Sequence, residues 1–86
     1  MVLPDVNVII FAMRPESKEH ERARSWLDSI VNGSAHFGMS TQVLSSAVRV
    51  VTNGSVYARP EPLNFAIRYC NILLEQPLCV SVRPGQ

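Results

Sequence analysis

Apolar residues recur at helical spacing in three stretches of the chain. The clearest is the first: Ala23, Trp26, Leu27, Ile30 and Val31 fall at i, i+3, i+4, i+7 and i+8, one continuous stripe with charged residues on the opposite face. This predicts a helix over His20–Val31, stopped by the Asn-Gly-Ser run at 32–34 through C-cap chemistry. Val43, Leu44, Ala47, Val48 and Val51 repeat the spacing and predict a helix over 42–51 that Ser40 or Thr41 can cap, although its many valines are mediocre helix formers. Leu63, Ala66, Ile67, Cys70, Leu73 and Leu74 predict a last helix over 63–76, ended by Pro77. The other apolar runs, at 1–3, 6–13, 35–39 and 78–82, are too short for periodicity to separate strand from helix. One arrangement uses them all. Val2 and Leu3 form a buried strand, Pro4 and Asp5 sit at its end, Asn7 begins an apolar helix, 35–39 is a strand and 78–82 a final buried strand. Between them lie a polar connection at 14–19, a turn at 52–55 and an irregular stretch at 56–62 held open by Pro60 and Pro62. Strands then alternate with pairs of helices, which predicts an α/β fold with a short, three-stranded central parallel sheet covered by helices.

Length limits this to a single domain, 1–86, able to bury roughly 60% of the surface its unfolded chain exposes. Hydrophobic residues are 47% of the chain and aromatics only 7%, so the core is aliphatic and the composition is not that of a disordered segment. A net charge of +1 is not the footprint of a protein that holds nucleic acid by charge alone; a polyanion partner would need a local site. The C-terminal half carries only two carboxylates, Glu61 and Glu75. Cys70 and Cys79 lie in no metal-ligand spacing and sit among apolar residues, which predicts reduced, buried thiols. No run is long enough to span a membrane, and Pro4 and Asp5 stand where a signal peptide would be basic. The expectation is a cytoplasmic protein without a membrane partner. The last predicted strand would lie near an edge of a thin sheet with no helix after it, which predicts the front piece of a larger α/β fold or one completed by a partner chain.

The candidate chemistry begins at Asp5 and Asn7. An Asp just past a strand and before a helix lies on the ligand-binding edge of an open α/β sheet, and a carboxylate with an amide two residues on suits a hydrated Mg²⁺. The plainer alternative is that Asp5 or Asn7 only caps the first helix. For the other polar positions the structural role comes first. His20 opens a helix, His36 is a half-buried strand residue, Arg49 is paired or solvated rather than bound to a polyanion's phosphate, and Trp26 belongs to the core stripe. Ser40 and Thr41 read as caps.

The opening LPDVNVIIFAM resembles the start of a PIN domain, in particular the VapC ribonuclease toxins of bacterial toxin–antitoxin pairs, which open with a strand ending in D-x-N and an apolar helix. His20 and Ala23 followed by Trp26 and Leu27 are similar to the H-x-x-A-x-x-W-L pattern of the family's second helix. Val43 and Leu44, then Val48 and Arg49, then Thr52 and Asn53 resemble its V-L…L-R-x-x-T-N stretch. Val80, Ser81, Val82, Arg83, Pro84 and Gly85 resemble its V-x-V-x-P-G strand exit.

The resemblance implies a PIN-like three-layer α/β fold, a Mg²⁺ (or Mn²⁺) site of three or four carboxylates, hydrolysis of RNA, a homodimer and a cognate antitoxin. It makes Asp5 the catalytic and metal-binding residue, with Asn7 and Ser40 as possible supports around it. It also implies that the chain covers about the first two-thirds of the family's length, so that the C-terminal strands, helices and aspartates lie beyond it. Ser46 stands where many members have a Glu. A divalent cation about 4 Å from one carboxylate gains roughly 8 kcal/mol of gross attraction at an effective dielectric of 20, much of which desolvation cancels. A lone Asp5 should therefore bind Mg²⁺ weakly, and the expectation is a truncated or degenerate endoribonuclease with little activity of its own. The alternative is a non-catalytic remnant that dimerises or binds antitoxin, through the stripe of Trp26, Leu27, Ile30 and Val31 or the aliphatic face of 43–51.

Overall fold

Local causes set the ends of most elements in the computed structural model, which describes residues 1–82. Helix α1 (Val6–Met13) begins where Asp5 leaves the extended conformation and stops at Arg14, held at φ −116° and ψ 96° because Pro15 disfavours helical geometry in the residue before it. Helix α2 (His20–Val31) ends at Asn32. A Cβ on Gly33 would lie 3.0 Å from the Ser29 carbonyl oxygen, so the missing side chain lets the backbone leave the helix this closely. Strand β1 (Phe37–Ser40) runs directly into helix α3 (Thr41–Val51). The Ser40 hydroxyl accepts the Val43 N–H at 3.2 Å, a cap of the kind that contributes about 1 kcal/mol. Helix α4 (Leu63–Leu74) follows Pro62 and ends two residues earlier than the 63–76 expectation, at its C-cap Glu75. Strand β2 (Cys79–Val82) closes the described chain; it is not the buried strand expected, since Val80 and Ser81 are exposed and Cys79 and Val82 only half-buried. The polar exit expected at 83–86 lies outside the described residues.

Strands β1 and β2 pair in parallel, with Phe37 opposite Cys79 and Ser40 opposite Val82. On the other side of β1 stands Val2, in a single parallel bridge with Phe37. Successive strand N–H groups point to opposite sides: Phe37 donates to Leu78 O at 3.0 Å, and Gly38 to Val2 O at 2.7 Å. The N-terminal segment therefore flanks β1 opposite β2. It is not the buried strand expected, since Val2 is 47% and Leu3 52% exposed. One bridge holds the segment, and no element among the described residues pairs beyond it. The three-stranded sheet is thus a two-stranded sheet plus one bridge. His36 lies just before β1 and is exposed rather than half-buried.

Helix α1 packs against both α2 and α3, and α4 against α3 and β2. The core between them is aliphatic around one aromatic: Ile9, Met13, Leu27, Phe37, Met39 and Val51 are its largest fully buried side chains. Trp26 is not in it. At 41% exposure it lies beside Val8, Phe11 and Ala23 in an open groove between α1 and α2. Leu63 and Ile67, expected inside, are also exposed, and α4 buries only Ala66, Cys70 and Leu73. Cys70 and Cys79 are free thiols, Cys70 buried and Cys79 half-buried, and burial pushes both thiols above their ordinary range. No helix among the described residues is long and apolar enough to cross a membrane. Four helices around a short parallel sheet make the α/β class expected, in agreement with part of a PIN-like fold.

Candidate functional site

Two segments run into helices at the C-terminal edge of the sheet: the N-terminal one, held to β1 by a single bridge, and β1 itself. The Val2–Phe37 bridge sets their level: three residues further along each segment come Asp5 and Ser40. Asp5 is the N-cap of α1 and Ser40 the N-cap of α3, while Val82 pairs with Ser40 from the far side. Two helix N-termini, with their unsatisfied N–H groups and positive dipole ends, thus start from one edge, an arrangement that favours negative charge there.

The two caps differ in chemistry. The Ser40 hydroxyl is engaged with the Val43 N–H. The Asp5 carboxylate makes no capping bond and is exposed; only its backbone carbonyl serves the helix, accepting the Ile9 N–H at 3.3 Å. The capping alternative for Asp5 therefore describes its position in the chain and not the use of its side chain. Asn7 lies on the first turn of α1, exposed. Ser46 is on α3, where its hydroxyl receives the exposed Arg49 guanidinium at 3.4 Å.

Among the described residues no three His, Cys, Asp or Glu side chains come together in a way that could hold a metal ion. The residues present therefore do not fit a complete Mg²⁺ site. Glu61 lies in the irregular stretch before α4 and is bound to Arg14. Glu75 is the exposed C-cap of α4.

Sequence inspection missed the Arg14 cluster altogether. Arg14 appears in the sequence as the start of a polar connection, yet it is 7% exposed. Its Nη1 donates to Arg59 O at 3.0 Å and to Glu61 Oε2 at 3.1 Å, its Nη2 to Glu16 Oε2 at 2.7 Å, and its guanidinium lies 3.7 Å from the Tyr57 ring centroid. Pro15 was the available signal, because it turns the chain out of α1 at this residue. The partners lie 45 and 47 positions away, and nothing local announces them. His20 plays a lesser part in the same region, with Nδ1–H donating to Phe11 O at 2.9 Å and joining the start of α2 to the end of α1.

A parallel-sheet α/β unit with an uncapped carboxylate at its strand tips belongs to a broad class of ligand-binding folds. Its relatives are narrower: over all 86 residues the chain is homologous to VapC ribonucleases. It is 34% identical to Ribonuclease VapC43 of Mycobacterium tuberculosis over its whole length, which is 58% of that protein. It is 34% identical over 77 residues to Ribonuclease VapC33 of the same organism, covering 90% of this chain and 54% of the relative. With Ribonuclease VapC37 it shares 31% over 84 residues, covering 98% and 58%. The chain thus spans little more than half the length of the curated relatives it matches. No protein-family profile matches it.

Proposed function

We propose that residues 1–86 form the front part of a PIN-domain, VapC-type endoribonuclease toxin, a single partial domain in which Asp5 supplies one carboxylate to a Mg²⁺ (or Mn²⁺) site. The whole protein would then cleave RNA in the cytoplasm, associate as a homodimer and be held by a cognate antitoxin. The observation that carries this is the exposed Asp5 carboxylate, free of any capping bond at the sheet edge, in a chain homologous from end to end to VapC ribonucleases. Asn7 and Ser40 would stand around that carboxylate, Ser40 mainly by fixing the start of α3. Because one carboxylate compensates the desolvation of a divalent ion poorly, residues 1–86 are expected to cut RNA no faster than their Asp5→Ala variant.

A chimera tests the proposal. Residues 1–86 joined to the segment of VapC43 outside the matched region should give Mg²⁺-dependent RNA cleavage that Asp5→Ala lowers at least ~100-fold, as loss of a metal ligand does. A chimera that cuts equally well with Ala at position 5 would overturn the assignment of Asp5. Strong Mg²⁺-dependent cleavage by residues 1–86 alone would overturn the incomplete site.

The open groove of Val8, Phe11 and Trp26 favours a second reading, in which the chain binds the antitoxin without catalysis. The stripe expected to do so is largely used internally, with Leu27 buried and Ile30 and Val31 packed on the core. Trp26 is the part left open to an amphipathic helix. Tight antitoxin binding without metal uptake would favour this reading.

A further inference from the structure

The chain contains two Asn-Gly pairs, Asn32–Gly33 and Asn53–Gly54, and the structure treats them oppositely. We propose that Asn53, and not Asn32, is a site of spontaneous deamidation, with solvent water as the only co-reactant. The Gly54 backbone nitrogen attacks Cγ of Asn53 and gives its proton to solvent. The new N–C bond closes a succinimide as the Cγ–Nδ2 bond breaks and ammonia leaves. Water then opens the ring at either carbonyl, leaving an aspartyl or isoaspartyl residue.

Three features of Asn53 favour the ring closure. The Gly54 nitrogen has no hydrogen-bond acceptor among the described residues, so its lone pair and proton are not committed elsewhere. The Ser55 N–H donates to Asn53 Oδ1 at 2.8 Å, the oxygen on which negative charge builds as the nitrogen adds, so a donor is already placed where charge develops. Both residues are exposed, and a Cβ on Gly54 would meet nothing within 4 Å, so that closing the ring displaces only the surface-turn bonds that the Asn53 carbonyl accepts from Val56 and Tyr57 N–H, and water has room to complete the reaction.

At the other pair the nucleophile is engaged. Both asparagine N–H groups are bound by the last turn of the preceding helix, Asn53 to Val50 O at 3.2 Å and Asn32 to Asp28 O at 2.9 Å, but only the Gly33 N–H is also taken, by Ile30 O at 3.3 Å. Gly33 also lies close against the Ser29 carbonyl, so bringing its nitrogen toward Cγ of Asn32 would break the helix cap. Deamidation at Asn53 would turn the net charge of +1 to zero. An isoaspartyl product would add a methylene to the backbone of the loop that carries Arg59 and Glu61 to Arg14.

The test is to age the purified chain in warm, mildly alkaline buffer and follow the gain of one mass unit, localised by fragmentation, in tryptic peptides 25–49 and 50–68, which separate the two pairs. Asn53 should convert about tenfold faster than Asn32 or more, the rate equivalent of about one hydrogen bond, with isoaspartate among the products. In denaturant the two rates should converge. Gly54→Ala, which the open space accommodates, should slow conversion at Asn53 while leaving Asn32 unchanged. Equal rates in the folded chain, faster conversion at Asn32, or a difference that survives in denaturant would overturn the assignment.

Discussion

Replacing Arg14 with alanine is expected to lower the free energy of unfolding by about 3–5 kcal/mol, the cost of removing one partner from a buried ion pair. The Glu61 side chain is 16% exposed and would be left without its cation, and Arg59 O would lose its donor. The shorter contact, to Glu16 at 2.7 Å, contributes less than the longer one, because Glu16 is 57% exposed and such pairs contribute about 0–1 kcal/mol. Stacking on Tyr57 adds no more than ~2 kcal/mol. A chain of this size has a total stability of only about 4–13 kcal/mol at typical per-residue values, so Arg14→Ala should shift Tm down by more than ~10 °C. Urea unfolding measures this directly. The double variant Arg14→Met with Glu61→Leu should recover much of the loss, since it removes both charges together. A loss below about 1 kcal/mol for Arg14→Ala would mean that the loop at 52–62 is not held through this residue.

Phe37→Ala should cost about 3–5 kcal/mol, the range for a large buried aromatic. Phe37 is 1% exposed, and its backbone is bridged to Val2 on one side and paired with Cys79 of β2 on the other. The cavity would therefore open at the junction of the sheet with the helices over it. Phe65→Ala is the control: Phe65 is 39% exposed and should lose about 1–2 kcal/mol, since partial burial scales with the area removed from water. Equal losses for the two variants, measured by equilibrium unfolding, would contradict the core assigned here.

The helices were legible because their signals are local. The stripe of α2, the Ser40 cap of α3 and the prolines around α4 each act within a few residues. What the stripe did not reveal is how wide a face the neighbours cover. On α4 the buried set narrows to Ala66, Cys70 and Leu73, the face turned to its main neighbours α3 and β2, and Leu63 and Ile67 fall outside. Trp26 lies at the edge of the α2 stripe and leans into the groove over Val8 and Phe11. The strands were less legible. Val2 and Leu3 carry strand-like side chains, but a strand is completed by its partners, and here a single bridge holds them. Arg14 was illegible because its environment is assembled from residues 45 and 47 positions away.

The candidate site divides the same way. That Asp5 and Ser40 begin helices is a local property and was read from the chain. That they stand at one level of the sheet follows from the Val2–Phe37 register, which no sequence pattern prints. That the Asp5 carboxylate takes no part in capping could not be read from a residue type that caps helices so often.

The most direct test is a Mn²⁺ titration of the isotope-labelled chain followed by nuclear magnetic resonance. The expected result is weak binding, with Kd of about 1 mM or weaker. Paramagnetic broadening should centre on the amides of residues 5–7 and 40–41, and Asp5→Asn should abolish it. Broadening centred elsewhere, such as around Glu61 or Glu75, or broadening at residues 5–7 that persists unchanged in Asp5→Asn, would contradict the placing of a cation-attracting carboxylate at the edge of this sheet.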